Sequence, residues 1–283
     1  MIALVLALGS SLAYGCADFL GGLGARKAHV LRTVMIAAPA SLGVELLLWP
    51  LLGASFSPGA LAWGAASGLA SAAAFVLLYR TLAIGPMNVL SPVTALVSAA
   101  LPVGVGLLQG EHLAAAGMVG LPLALVAVVL VSAGPAGAGP GARSSRASRT
   151  ALLLAFGAGA AIALQLVFLH QAPADSGVAP LIVGRTVASA ITLTAAALWH
   201  RRLGPERPAY ALSATAGALD SIANLLFLLA ARSGDLAVVA VIVALYPAGT
   251  VLLARRVLGE RLHRGQLIGL GAAALAVGLL ALP

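Results

Sequence analysis

Charge is what this chain of 283 residues has least of. Acidic and basic residues together make up 8 % of it, where a soluble domain carries about 25 %. A water-facing surface of ordinary polarity cannot be built from so little charge, which excludes a soluble globular domain. Cysteine is nearly missing as well. Cys16 stands alone, so an intrachain disulfide is excluded, and its place inside an apolar run marks it as a small packing residue. The five histidines are scattered, with no metal-ligand spacing among them. No nucleotide-binding loop, His-Glu-x-x-His or Gly-x-Ser-x-Gly motif is present. The chain is therefore expected to be no enzyme and to need no metal or other cofactor.

What fills the space is apolar. Hydrophobic residues are 61 % of the chain, with 33 glycines and 15 prolines. Ten continuous apolar runs stand at 2–22, 33–52, 59–79, 86–108, 113–133, 150–170, 177–199, 209–230, 235–254 and 264–282. Each approaches the ~20 residues that carry a helix across ~30 Å of hydrocarbon. A transmembrane barrel would need strands of roughly 10 residues alternating polar and apolar, and these runs do not alternate. The first run lacks a basic leading segment and a clear cleavage site, so it reads as a retained helix rather than a signal peptide. The glycines suit close helix packing in lipid. The expected fold is an all-α integral membrane protein of ten transmembrane helices.

The ten runs divide five and five. Between them lies 134–149, GPAGAGPGARSSRASR, whose glycine, proline, serine and arginine cannot form a buried element. Residues 1–133 and 150–283 look like copies. Gly110, Glu111 and Leu113 align with Gly259, Glu260 and Leu262, and Gly120-Leu121 with Gly269-Leu270. Arg32-Thr33-Val34 recurs as Arg185-Thr186-Val187. A duplication of five spans, an odd number, places the two copies upside down relative to each other, which predicts two inverted five-helix repeats.

The formal net charge of +8 would suggest nucleic acid on a soluble chain. Here the basic residues sit in alternate loops, so no nucleic-acid partner is expected. Fourteen of the sixteen fall on one side: Arg26, Lys27, Arg32, Arg80, Arg143, Arg146, Arg149, Arg201, Arg202, Arg207, Arg255, Arg256, Arg261 and Arg264. The positive-inside rule then predicts that these loops are cytoplasmic and that both termini lie outside. Scarce lysine among many arginines, with abundant alanine and leucine, fits a bacterial chain of the inner (plasma) membrane.

Polar side chains inside the runs are the candidate working parts, because hydrocarbon tolerates them only where they face a cavity or another helix. Tyr14 and Asp18 are four apart on the first helix, and Asp220 and Asn224 repeat that spacing on the eighth. Two carboxylates, one per half, could take a proton or a cationic group. Glu45 is either a cavity group or an interfacial one beside Trp49. Arg185 could bind an anionic group, or pair with Asp175 or Asp220. Asn88 and Ser91 share a face near the start of the fourth span, while Pro92, Pro102 and, in the ninth span, Pro247 can kink their helices. Tyr79, Gln165 and Tyr246 complete the set of candidate cavity residues. Glu111 and Glu260 are expected to cap helix starts.

Certain of these residues carry a family resemblance. Tyr14-Gly15-Cys16-Ala17-Asp18-Phe19, Tyr79-Arg80-Thr81-Leu82-Ala83-Ile84-Gly85, and Pro247 followed by Leu258-Gly259-Glu260-Arg261-Leu262, Gln266 and Gly269 resemble the ten-helix EamA-type branch of the drug/metabolite transporter superfamily. The first half departs from that pattern, with Ser98 where the proline of the second half would fall. The resemblance implies a secondary active transporter working by alternating access. It would move, and often export, a small polar metabolite such as an amino acid, in some members by proton exchange. Its partners would be a small-molecule substrate, protons and the lipid bilayer. A channel or an uncoupled facilitator is the alternative.

Overall fold

A computed structural model of the chain describes residues 1–84, 87–111, 113–132, 149–199, 203, 206–258 and 264–282. Most of the predicted linker, the basic loop residues Arg201, Arg202 and Arg261, and the repeat positions Gly259, Glu260 and Leu262 lie outside the described residues.

The described residues form eleven α-helices: α1 (Ile2–Lys27), α2 (Val30–Leu52), α3 (Pro58–Ile84), α4 (Met87–Leu108), α5 (Ala115–Ser132), α6 (Arg149–His170), α7 (Ala179–Leu198), α8 (Tyr210–Ala231), α9 (Leu236–Val243), α10 (Tyr246–Leu258) and α11 (Arg264–Leu280). Six of them, α1, α2, α3, α6, α7 and α8, are long and apolar enough to cross a membrane, and shorter apolar helices account for the rest. Nine of the ten expected spans are single helices. The ninth is broken into α9 and α10. Pro247 offers no N–H to the carbonyl of Val243, four residues earlier, and its ring crowds that carbonyl. Val243 is where α9 ends. In α4 the helix runs unbroken through both Pro92 and Pro102, so the kink expected there does not become a break.

Two helices outrun their apolar stretches. The sequence predicts ends near residues 22 and 79, but α1 continues to Lys27 and α3 to Ile84. Arg26 and Lys27 in the last turn of α1 oppose the negative pole of the helix. Arg26 also donates from Nε to the Leu82 carbonyl at 3.4 Å, tying the two extensions together.

The helices pack largely between halves. Helix α1 lies along α8 and α3 along α6; α3 packs on α7 and α2 on α8; α4 packs on α6 and α1 on α10; α2 meets α7, and α5 meets α11. Several of these contacts are backbone to backbone, two of them closest of all. A Cβ at Gly68 of α3 would run into the Gly184 carbonyl of α7, and one at Gly217 of α8 into the Ala37 carbonyl of α2. Any larger residue there forces the helices apart, which is the use of glycine at membrane helix crossings.

One end of the bundle, the end bearing both termini, is stitched shut. The α2–α3 and α6–α7 connections meet in a β-bridge between Ala54 and Gly177, with Val178 N–H to the Gly53 carbonyl at 3.0 Å and Ser55 N–H to the Ser176 carbonyl at 3.1 Å. Arg232, just after α8, donates to the carbonyls of Gly177 at 2.9 Å and Pro173 at 3.1 Å. Burial pulls its guanidinium below the usual arginine range and Asp175 pushes it back. From the α4–α5 connection, Glu111 accepts from the N–H groups of Leu236 and Ala237, at 2.6 and 2.8 Å. The carboxylate thus caps a helix, as expected, but the capped helix is α9 of the other half rather than its own α5.

Candidate functional site

The middle of the bundle holds a polar cluster assembled from both halves. Arg185 of α7 is 3 % exposed, which in an apolar interior demands a counter-charge. Its Nη2 lies 2.6 Å from Oδ2 of Asp220 on α8. Its Nη1 donates to Ser71 Oγ on α3 at 2.8 Å, and the guanidinium stands 5.6 Å from the centre of the Phe75 ring, a cation–π contact. Of the two partners left open by the sequence, the structure selects Asp220.

A chain of amide contacts extends the cluster. Asn224 donates to the Asp220 carbonyl at 2.8 Å and approaches its Oδ2 at 3.4 Å. Gln165 of α6 donates to Asn224 Oδ1 at 2.6 Å. The four-residue spacing read from the sequence is therefore realised as contact. On the other side of the cluster Ser221 donates to Glu45 Oε1 at 2.6 Å, joining α8 to α2.

Two small cavities adjoin this network. The larger is lined by Tyr14 and Asp18 of α1, Phe75 and Tyr79 of α3, Ser98 of α4, Gln165 of α6, Asp220, and Val243, Ala244 and Tyr246 where the ninth span breaks. Its free interior is narrow, with room for about two or three waters. The smaller is lined by Ser67, Ser71, Gln165, Arg185 and Asn224 among others. One member of the ion pair thus faces each cavity. Tyr14 and Tyr246 face one another across the larger, ring centres 6.5 Å apart, and both hydroxyls are buried with no hydrogen-bond partner among the described residues. The Asp18 carboxylate, 9 % exposed, has no ion-pair partner among the described residues.

Of the residues read from the sequence, Tyr14, Asp18, Tyr79, Gln165, Asp220 and Tyr246 line the larger cavity, and Gln165, Arg185 and Asn224 the smaller. Glu45 is fully buried away from both, in the contact between α2 and α8. Ser91 is buried on α4 without lining either. Asn88 falls in the first turn of α4, and its side chain lies outside the described residues. Sequence reasoning missed Ser67, Ser71 and Phe75, which hold or face Arg185. The signal was available: Ser67 and Ser71 are a four-residue polar pair inside an apolar run, the same spacing that singled out Tyr14 and Asp18. Ser98, noted only as a missing proline, is a cavity residue.

The comparisons with known proteins agree with this architecture. Residues 149–282 match the model of the EamA-like transporter family. No curated protein matches the chain. Among solved structures, one described only as "Crystal structure of protein" superposes with a TM-score of 0.74 at 16 % identity, covering 99 % of this chain and 96 % of its own. At that identity the likeness shows a shared fold along the whole length.

Proposed function

We propose that this chain is a secondary active carrier of a small zwitterionic metabolite, an amino acid or a close relative, a reading supported by the match of residues 149–282 to the EamA-like transporter family. The observation that carries this reading is the central cluster: one arginine and two carboxylates converge on cavities built by both halves. Arg185 suits a carboxylate, since its fork of donors matches that group. Asp18, with no ion-pair partner among the described residues, suits an ammonium. The tyrosine and phenylalanine walls suit a short apolar body.

Alternating access is supported by what is closed. At the terminal-bearing end four connections are hydrogen-bonded together, while the interior is too narrow for such a substrate without rearrangement. The hinge for it would be the break at Ala244–Leu245, where the ninth span has given up helical hydrogen bonds beside the cavity. A continuous polar pore, which a channel would need, finds no support in so narrow an interior. We further propose that residues 1–133 and 150–283 are inverted repeats joined by the 134–149 linker. The pairings support this: α1 on α8 mirrors α6 on α3, α3 on α7 mirrors α8 on α2, and α4 on α6 mirrors α10 on α1. Placed in a bacterial inner membrane with its arginine-rich loops inside, the stitched end faces outward. Export is the direction that the family resemblance supports.

Counterflow in proteoliposomes tests the reading. Vesicles loaded with unlabelled alanine, serine, leucine, phenylalanine, lysine or glutamate should accumulate the same labelled compound transiently for at least one neutral amino acid, and Arg185→Ala should abolish it. Counterflow for none of the six would refute the zwitterion assignment.

A further inference from the structure

Among the described residues Arg185 is the one cation counted as buried, and it shares the interior with three carboxylates, those of Asp18, Glu45 and Asp220. Asp220 takes the ion pair, and Asp18 borders a cavity. Glu45 does neither. It is 0 % exposed on α2; one oxygen accepts from Ser221, and the other, Oε2, is shielded with no hydrogen-bond partner among the described residues. One turn earlier, Ser41 is also fully buried with its hydroxyl unpartnered. An ionised glutamate in that setting would hold a full charge in apolar surroundings against a single hydroxyl, with the nearby arginine committed elsewhere. A protonated one is neutral and still accepts from Ser221.

The elements packed on α2 are α8, α7, α1 and α3. Of the charged groups on these helices, Arg185 from α7 and Asp220 from α8 act on Glu45; α1 also carries Asp18, Arg26 and Lys27, and α3 carries Arg80. Ser221, which holds Glu45, directly follows Asp220 in sequence. Glu45 is therefore linked to the ion pair by charge and by backbone.

We propose that Glu45 is a proton-binding site of this chain, separate from the substrate cavity and coupled to it through Arg185 and Asp220. The carboxylic acid Glu45–COOH is the form in this conformation. It releases H⁺ to water as Glu45–COO⁻ when α2 and α8 part. Because Arg185 can neutralise one carboxylate at a time, its movement toward a substrate carboxylate alters the field at Glu45, and occupancy of the two sites becomes linked. The proposal rests on the transporter reading for its consequence but not for the site itself.

Two readouts keep those apart. Infrared spectra of the protein in lipid nanodiscs, from acid to alkaline pH, should show the carbonyl stretch of a buried carboxylic acid that disappears on titration. That band should persist in Asp18→Asn and be lost in Glu45→Gln, an isosteric change that keeps the acceptor for Ser221. In proteoliposomes, Glu45→Gln should retain counterflow of the amino acid found above while losing at least tenfold of the accumulation driven by an imposed pH gradient. A Glu45→Gln spectrum identical to wild type overturns the site. Gradient-driven accumulation unchanged in Glu45→Gln overturns the coupling, as does loss of counterflow and accumulation together, which marks a structural role. No counterflow in wild type, with the Glu45 band present, refutes the transporter reading and leaves the proton site standing.

Discussion

The two halves of this chain have the same number of spans and use them differently. In the second half the interior charge is balanced within the half, Arg185 of α7 against Asp220 of α8. In the first half Arg32 stands at the start of α2 beside a basic connection, and Asp18, in the larger cavity, has no ion-pair partner among the described residues. The fourth span of the first half, α4, is continuous; its counterpart is broken at Ala244–Leu245 before Pro247. On the repeat proposed above, the difference is one of divergence from a common scaffold. The packing of helices is alike in both halves, while one half supplies the ion pair and the broken span and the other supplies an open carboxylate and an unbroken wall.

Removing Arg185 should break this asymmetry most severely. Arg185→Ala leaves Asp220 buried and uncompensated, a loss of about 3–5 kcal/mol, and should sharply lower thermal stability in detergent. Arg32→Ala should cost far less by the same measurement. Replacing both members of the pair, Arg185→Met with Asp220→Leu, should recover much of the lost stability without recovering transport, because an apolar pair of similar size removes the uncompensated charge.

Next come the helix crossings that the halves share. Gly68→Ala and Gly217→Ala each press a methyl on a facing carbonyl and should each cost about 1–3 kcal/mol. Gly43→Ala, where nothing stands within 4 Å, should be neutral or better. Equal penalties at Gly68 and Gly217 would sharpen the claim of equivalent packing; a penalty at one alone would break it.

A smaller contrast is expected at the stitched end. Glu111→Gln weakens two charge-assisted bonds to the start of α9, at about 1–2 kcal/mol. It should raise the rate at which a membrane-impermeant thiol reagent reaches a cysteine placed at Ala244. Arg232→Ala should act in the same direction, since it releases the α8–α9 connection from Gly177 and Pro173. The smallest effect is at Asp18. Asp18→Asn breaks no ion pair among the described residues and should lower stability less than Asp220→Asn, which loses one.

The spans were readable because hydrophobic length in a membrane maps almost directly onto helices. The polar residues inside them were readable as a class for the same reason: hydrocarbon leaves a carboxylate or guanidinium few places to go. Which of them meet was not. Arg185 could be paired with Asp175 or Asp220 only by knowing that α7 and α8 present those faces to each other. Glu45 reads as either a cavity group or an interfacial one, yet α2 turns it onto Ser221, a choice made by helix rotation and invisible in a run of apolar letters. Ser71 escaped because serine is cheap to bury and common in membrane helices, so nothing in its identity announces a partner. Glu111 was legible as a cap but not as a cap for another half, since sequence proximity favours the helix that follows.

The central claim is that both halves enclose one substrate at the polar cluster between them. With Cys16 replaced by serine, single cysteines at Ser98 and Ala244 sample two sides of the larger of the cavities that adjoin it. Their alkylation rates in proteoliposomes, measured with and without the amino acid that undergoes counterflow, give the most direct test. The account predicts that the substrate slows both to a similar degree and that Arg185→Ala removes the protection at both. Protection at one position only, or at neither while counterflow proceeds, would contradict it.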